Sequence, residues 1–212
     1  MRKIALALTV VAFASFHQLQ AQITDKLMPH LGFMWEFATA SEAGGAQTEI
    51  LQSFYNLNVG SYYILGQKND IVSFGVQPNV EFGFNVTPTV SGNLRFNYNL
   101  QVPVYLMARI GAGATPYNQQ LLGLALGIGG NLVNYSVFFA SGNNLRTTYV
   151  APGAVAEIHI QSRNSPMILR AHASPFQGPA TFTNETPNGT VTQLSLQSGG
   201  YFGLGIVYRF GL

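Results

Sequence analysis

The feature that most constrains the fold is an alternation of apolar with polar or small side chains that runs almost unbroken through residues 71–110. It falls into two runs, whose apolar positions are Val72, Phe74, Val76, Val80, Phe82, Phe84 and Val86, then Leu94, Phe96, Tyr98, Leu100, Val102, Val104, Leu106, Ala108 and Ile110. Because successive side chains of a β-strand point to opposite faces, a period of two predicts two strands. Each run is roughly three times the mean strand length of about 5–6 residues. Such long strands, apolar on one face and polar on the other, predict a transmembrane β-barrel with lipid outside and a polar interior.

The N-terminal residues predict export of the chain. Residues 1–3 are positively charged in part, residues 4–16 are apolar, and Leu19-Gln20-Ala21 fits a cleavage site for a signal peptidase. We therefore expect residues 1–21 to be a signal peptide and residues 22–212 to be one outer-membrane β-barrel domain. An uncleaved anchor helix is the alternative, but this apolar stretch is short for a membrane span.

The composition excludes several classes of protein. The chain has no Cys, so it can form no disulfide and carry no lipid on a cysteine. Charged residues are 8% of the chain, against about 25% in typical soluble domains, which favours a surface covered by lipid. Loss of Arg2 and Lys3 with the signal peptide would leave eight basic and eight acidic residues. A neutral chain of this kind is not expected to bind nucleic acid.

The remainder of the chain also divides into strands, and we expect eight in a closed antiparallel up-and-down barrel. Residues 121–140 could be a single membrane helix, but Leu122, Leu124, Leu126 and Ile128 alternate with small residues, which favours a strand. The other expected strands cover about 28–40, 47–65, 145–160, a segment from Met167 that Pro175 and Pro179 disturb, and the C-terminal residues. Ten strands are the alternative, if Gly129-Gly130-Asn131 is a turn.

Several local features follow from the same pattern. We expect a bulge at Gly129-Gly130, where the alternation changes phase, and an irregularity at Pro103, which Pro78 shares. The hairpins around 41–46, 87–92, 141–144 and 186–190 should project beyond the membrane as an extended sheet, because several strands exceed the roughly 9–11 residues that cross it. Trp35 and many tyrosines are expected at the membrane interfaces.

The C-terminal strand carries a specific motif. Gly205, Tyr208 and Phe210 follow the Gly-x-x-aromatic-x-aromatic pattern, which resembles the assembly signal of bacterial outer-membrane barrels. Residues 100–106 resemble a strand of small Bacteroidota-type barrels. Together with the signal peptide, the chain resembles the OmpA/OmpX-like β-barrel family, also described as porin-family outer-membrane proteins. The resemblance implies an outer-membrane location and contacts with lipid, lipopolysaccharide and the barrel-assembly machinery.

The polar face of the strands predicts a charged network in the lumen. Its members are Glu36, Glu81, Arg95, Arg109, Glu157, Arg170 and Arg209. If the preceding turn centres between Arg163 and Asn164, Glu157 lies directly across from Arg170 as an ion pair. The network could be a selectivity filter or proton path, but an eight-stranded interior is only wide enough to be filled by side chains, and we favour filling. Gly123, Ala125, Gly127 and Gly129 leave one wall thin, which allows a small cavity.

One arrangement hints at catalysis. His172 and Ser174 share a strand face, Glu157 could orient the histidine, and the His-x-Ser pair resembles the motif of barrel-shaped lipid A deacylases. Because both side chains should face the lumen rather than lipid, we expect no enzyme. His30 and His159 lack the spacing of metal ligands, so neither a metal nor another cofactor is expected.

These observations predict an outer-membrane protein with a structural role or a surface-interaction role through its hairpins. Another envelope protein is a candidate partner. A narrow pore or small-ligand conduit is the alternative function. A lipid A-modifying enzyme is the third.

Overall fold

The chain forms a closed barrel of eight antiparallel strands in a computed structural model that describes residues 26–42, 50–88, 94–138, 144–161, 166–185 and 188–210. The strands are β1 (Leu27–Glu42), β2 (Ile50–Lys68), β3 (Val72–Pro88), β4 (Leu94–Gly111), β5 (Leu122–Phe138), β6 (Asn144–Ile160), β7 (Met167–Glu185) and β8 (Val191–Arg209). Each strand pairs with its neighbours along the chain, and β1 pairs with β8 to close the barrel. The predicted fold is confirmed. The alternative with ten strands is wrong, because residues 122–138 are one continuous strand.

The outer face of the barrel is an apolar belt. On β5 and β6 it extends from the pair Leu122 and Ile160 to the pair Leu132 and Val150. These eleven residues of β5 rise about 36 Å along the strand, or roughly 28 Å at a 40° tilt, close to the ~25 Å apolar band of outer-membrane barrels. Beyond the belt the outer face becomes polar, and Asn134 Nδ2 donates to Thr148 Oγ1 at 2.6 Å. The belt therefore has the height of a membrane, and the strands continue past it.

Aromatic side chains of β1, β2 and β3 lie in the part of this belt that is farther from the chain termini. Trp35 is the ladder partner of Tyr55, and Tyr55 is the partner of Phe84. The rings of Trp35 and Tyr55 are stacked with centroids 6.2 Å apart, and those of Tyr55 and Phe84 are 6.5 Å apart. All three side chains are exposed on the outer face. An outward aromatic row of this kind is typical of a membrane interface.

The predicted bulge at Gly129-Gly130 is wrong. β5 keeps one register with β4 and one with β6 along its whole length. The apparent change of phase comes from Val133, an apolar residue that faces the lumen, while Leu132 continues the outward row. The pattern misled because an apolar side chain inside the barrel looks like a switch of faces.

Proline positions account for two irregularities that the sequence predicted. Between β3 and β4, Asn79 and Val80 are not paired with Pro103 and Val102, although the register is the same on both sides of this gap. Between β6 and β7 the register shifts. Within the described strands, residues 147–153 of β6 are not paired with residues 174–182 of β7, a segment that includes Pro175 and Pro179. Because proline has no N–H to donate to the ladder, pairing is interrupted there.

At the end of the barrel that carries residues 26 and 210, connections of different length join the strands. Asn69 and Asp70 turn from β2 into β3 with φ of 51° and 53°, the left-handed conformation that two-residue hairpin turns require. The connection between β4 and β5, residues 112–121, is longer and folds into the barrel mouth. In the part of the chain that the structure describes, no helix is long and apolar enough to cross a membrane.

Several predictions concern residues outside the described ranges. The signal peptide of residues 1–21 is one of them. The hairpins expected to project beyond the membrane also lie wholly or largely outside, apart from residues 188–190 and the strand ends.

Candidate functional site

The inward faces of the strands bring the predicted polar residues together in the lumen. Glu36, Glu81, Arg109, Glu157 and Arg170 each expose at most 2% of their surface. Arg209 is half-buried near the end with the termini, where its Nη2 donates to Gln161 Oε1 at 3.0 Å. Arg95 lies in β4 opposite Thr87, and its side chain is outside the described part. Two separate clusters result.

We call the first the arginine cluster; it consists of Glu157 with Arg109, Arg170, His159 and Gln77. Glu157 Oε2 accepts from Arg109 Nη2 at 3.1 Å and contacts His159 Nε2 at 2.9 Å. Glu157 Oε1 accepts from Arg170 Nε at 2.8 Å and from Gln77 Nε2 at 3.0 Å. The turn between β6 and β7 pairs Glu157 directly with Arg170, as its expected centre predicted. The carboxylate is therefore saturated with donors.

The two arginines of this cluster are held by further contacts. The guanidinium of Arg109 lies 3.8 Å from the centroid of the Tyr62 ring, donates to Gln77 Oε1, and donates to the Gly113 carbonyl at 3.3 Å. Arg170 Nη1 donates to Asn58 Oδ1 at 2.9 Å. A buried charge pair is tolerated when hydrogen bonds satisfy its remaining polar atoms. Among the described residues, Arg109 Nε is the one nitrogen of the two guanidiniums without a partner.

We call the second the acidic cluster; it consists of Glu36, Glu81 and His172. His172 Nε2 lies 3.2 Å from Glu36 Oε2, and His172 Nδ1 lies 3.7 Å from Glu81 Oε1. Asn58 Nδ2 donates to Glu81 Oε1 at 2.6 Å, so Asn58 joins the acidic cluster to the arginine cluster.

Three side-chain amides orient Glu36. Asn99 Nδ2 and Gln101 Nε2 donate to its Oε1 at 3.1 and 2.5 Å, and Asn56 Nδ2 donates to its Oε2 at 3.5 Å. Their alternation with outward apolar residues was visible in the sequence. Their convergence on Glu36 was not, because it depends on how the barrel closes.

The thin wall of small residues on β5 does not leave the expected space. A Cβ at Gly127 would overlap Met107 Sδ and Val155 Cγ1, so these side chains already occupy the volume over it. They belong to a buried apolar cluster in the lumen, whose members are Met28, Tyr62, Ile64, Tyr105, Met107, Ala125 and Val155. Gly127 thus makes room for large side chains on the two neighbouring strands, β4 and β6.

The β4–β5 connection, residues 112–121, closes the lumen at the end with the termini. Ser73 Oγ donates to the Ala114 carbonyl at 2.5 Å, and Asn118 Nδ2 donates to the Asp70 carbonyl at 2.6 Å. Gly113 has a φ of 78°, and a Cβ there would overlap the His159 ring. Sequence reasoning did not foresee this closure; the signal for it was the pair of glycines at 111 and 113 in an uncharged segment.

The arrangement does not support the catalytic candidates. His172 and Ser174 are both buried in the lumen, on the inward face where the alternation predicted them. Glu157 contacts the two arginines and His159, whereas His172 lies beside Glu36 and Glu81. The expected orientation of His172 by Glu157 is therefore wrong, because the two side chains belong to different clusters.

The residues of the C-terminal motif lie at the seam that closes the barrel. Tyr208 and Phe210 are exposed on the outer face, and Tyr208 is the ladder partner of Leu31 in β1. Gly205 pairs with Met34, and a Cβ there would overlap the Phe33 carbonyl and Met34 Sδ. Glycine at this position thus permits the close approach of β8 to β1.

The fold and its interior define a small eight-stranded β-barrel with an apolar exterior and a filled polar lumen. No protein-family model and no curated protein matches the chain. Among solved structures it is similar to the outer membrane protein OprG of Pseudomonas aeruginosa, with 11% identity over 90% of this chain and 100% of that one and a TM-score of 0.48. It is similar to Neisserial surface protein A, with 15% identity over 86% and 97% and a TM-score of 0.42. It is also similar to Ail of Yersinia pestis, with 12% identity over 87% and 98% and a TM-score of 0.43. These similarities concern the fold.

Proposed function

We propose that the chain is an integral protein of the bacterial outer membrane that does not conduct and has a structural or surface-interaction role. The observation that carries the proposal is the filled lumen. Side chains of the arginine cluster, the acidic cluster and the apolar cluster occupy it with almost no exposure, and the β4–β5 connection closes one mouth. An eight-stranded barrel has an interior just wide enough for side chains, so a filled lumen leaves no aqueous path.

The location in the membrane is supported by the exterior of this chain. The apolar belt has the height of the outer-membrane hydrocarbon layer, and aromatic rings line the part of it that is farther from the chain termini. Closure of the sheet removes unpaired strand edges, which lipid does not tolerate. We propose lipid and lipopolysaccharide as the surroundings of the belt, and the assembly machinery as a partner that reads Gly205, Tyr208 and Phe210 during insertion.

The role of the surface follows from the length of the strands. β5 and β6 continue beyond the belt toward the end opposite the chain termini, where Asn134, Thr148 and Arg146 form a polar outer face. A sheet that projects in this way is suited to contact another envelope component rather than lipid.

Electrical recording tests the absence of conduction. Purified folded protein in a planar bilayer is expected to show no reproducible steps, while an open porin inserted in the same way serves as the positive control. Insertion is checked separately by protease resistance and by the altered migration of unboiled protein on a denaturing gel. Reproducible open channels in the inserted protein would contradict the proposal and favour the narrow pore.

We also propose that the chain is not a lipid A-modifying enzyme, because His172 and Ser174 are buried inside the barrel, away from the belt that lipid covers. Cells that produce the wild type and cells that produce His172→Ala are expected to have the same lipid A mass spectrum. A change of acyl chains that depends on His172 would overturn this part of the proposal.

A further inference from the structure

We propose that Glu36, Glu81 and His172 form a binding site for a divalent transition-metal ion inside the barrel. The three side chains come from β1, β3 and β7, and one potential ligand atom of each lies within 4.8 Å of the other two. Each is 99–100% buried. Two carboxylates and an imidazole are a ligand set that first-row divalent ions accept. The inference does not depend on the structural role proposed above.

The spacing of the ligand atoms suits a metal. His172 Nε2 and Glu36 Oε2 are 3.2 Å apart. In a tetrahedral zinc site, metal–ligand distances of about 2.0–2.2 Å place neighbouring ligand atoms roughly 3.3–3.5 Å from one another. His172 and Glu36 already lie at this separation, and a movement of Glu81, whose ligand atom lies within 4.8 Å of theirs, would let the three side chains share an ion.

An excess of buried acceptors is a second and independent observation. Among the described residues, none donates to Glu81 Oε2, to Asn56 Oδ1 or to Asn99 Oδ1. The amides of Asn56 and Asn99 are oriented because their Nδ2 atoms donate to Glu36. Their oxygens then both face the Cα of Gly83, where a Cβ would overlap them. Buried acceptors without donors are costly, and a cation at the acidic cluster would satisfy Glu81 Oε2.

A protonated His172 is the competing way to balance the cluster. It would donate from Nε2 to Glu36 Oε2 at 3.2 Å, but its Nδ1 lies 3.7 Å from Glu81 Oε1, beyond hydrogen-bond length, and Glu81 Oε2 has no donor among the described residues. It would also leave the oxygens of Asn56 and Asn99 without donors. A metal ion bound by one ring nitrogen and the two carboxylates would also contact Glu81, whose Oε2 has no donor among the described residues.

The ligand set selects the class of ion. The imidazole favours zinc and the later first-row metals over Mg²⁺ and Ca²⁺, which prefer oxygen ligands throughout. Among these ions Zn²⁺ binds more tightly than Mn²⁺ or Co²⁺ at most sites of this kind. Zn²⁺ is therefore the probe for affinity, Co²⁺ the spectroscopic probe, and Mg²⁺ the negative control.

The test uses the full mature chain without a histidine tag, refolded in detergent after treatment with a chelator. Zn²⁺ or Mg²⁺ is present at micromolar concentration during refolding, because a closed lumen would keep ions out of the folded protein. Elemental analysis after desalting is then expected to find one zinc per chain and no magnesium. Glu81→Gln and His172→Gln should each weaken zinc binding at least tenfold. His159→Gln, a second buried histidine in the arginine cluster, is the matched control and should bind as the wild type does.

Two results would overturn the site. One is less than a tenth of an equivalent of zinc in folded wild-type protein, and the other is unchanged zinc binding by folded His172→Gln. If a variant does not fold, the zinc content of the folded wild-type protein still tests the proposal. Protein refolded with Co²⁺ is expected to show the visible absorption bands of cobalt bound by nitrogen and oxygen ligands, and protein refolded with Co²⁺ and excess Zn²⁺ is expected to lack them. Absence of the bands after refolding with Co²⁺ contradicts the proposal.

Discussion

The arginine cluster and the acidic cluster share one lumen, one degree of burial and a connecting residue, Asn58, yet their hydrogen-bond balance is opposite. Around Glu157, two guanidiniums, a glutamine and a histidine contact the two oxygens of the carboxylate. Around Glu36 and Glu81, three acceptor oxygens have no donor among the described residues: Glu81 Oε2, Asn56 Oδ1 and Asn99 Oδ1. Burial alone thus does not tell whether a polar group supports the fold or binds a ligand. The ratio of donors to acceptors distinguishes the two clusters.

The largest effect is expected from Glu157→Gln. This change removes the carboxylate that Arg109 and Arg170 share, and within the described ranges neither buried guanidinium forms another salt bridge. Loss of one partner of a buried ion pair typically costs about 3–5 kcal/mol in the free energy of unfolding. Urea unfolding of the refolded protein in detergent, followed by tryptophan fluorescence, measures it. A loss below about 1 kcal/mol would show that the arginine cluster does not support the fold.

A smaller loss is expected from Gly83→Ala, which tests the packing around the acidic cluster. The new Cβ would overlap Asn56 Oδ1 and Asn99 Oδ1 and displace the amides that orient Glu36. Overpacking of this kind costs about 1–3 kcal/mol. Gly130→Ala is the matched control, because nothing lies within 4 Å of a Cβ at Gly130. Equal unfolding midpoints for the two variants would contradict the proposed convergence of Asn56 and Asn99.

The smallest effect is expected from Glu81→Gln in metal-free protein. Glu81 Oε2 has no donor among the described residues, so an amide at this position loses no hydrogen bond there and supplies a donor to neighbouring acceptors. We expect a change within about 1 kcal/mol in either direction, measured as for Glu157→Gln. A loss as large as that of Glu157→Gln would remove the distinction between the two clusters.

The sequence predicted much of the wall of the barrel and part of its interior. Period-two alternation identified the strands at 72–88 and 94–111, and the centre of one turn was enough to pair Glu157 with Arg170. Both results depend on residues that are close along the chain or joined by one hairpin. Val133 shows what alternation alone does not reveal, because an apolar residue that faces the lumen has the same sequence pattern as a change of face.

The acidic cluster could not be predicted in the same way. Glu36, Glu81 and His172 lie on β1, β3 and β7, which are not neighbours in the sheet. Their meeting depends on the closure and tilt of the whole barrel, and a shift by one residue would turn each side chain to the other face. The inward fold of the β4–β5 connection was missed for a related reason, since its contacts with Asp70 and Ser73 are tertiary.

The reaction rate of a single cysteine at position 174 tests the central claim, a lumen closed to water, most directly. The chain has no native Cys, and Ser174→Cys exchanges one buried atom in the middle of β7. Asn188→Cys, in the exposed part of the hairpin before β8, is the control. Because a buried thiol is inert, a small charged thiol reagent should react with folded Ser174→Cys at least about 100-fold more slowly than with Asn188→Cys, and equally fast after unfolding. Similar rates in the two folded proteins would contradict a closed lumen.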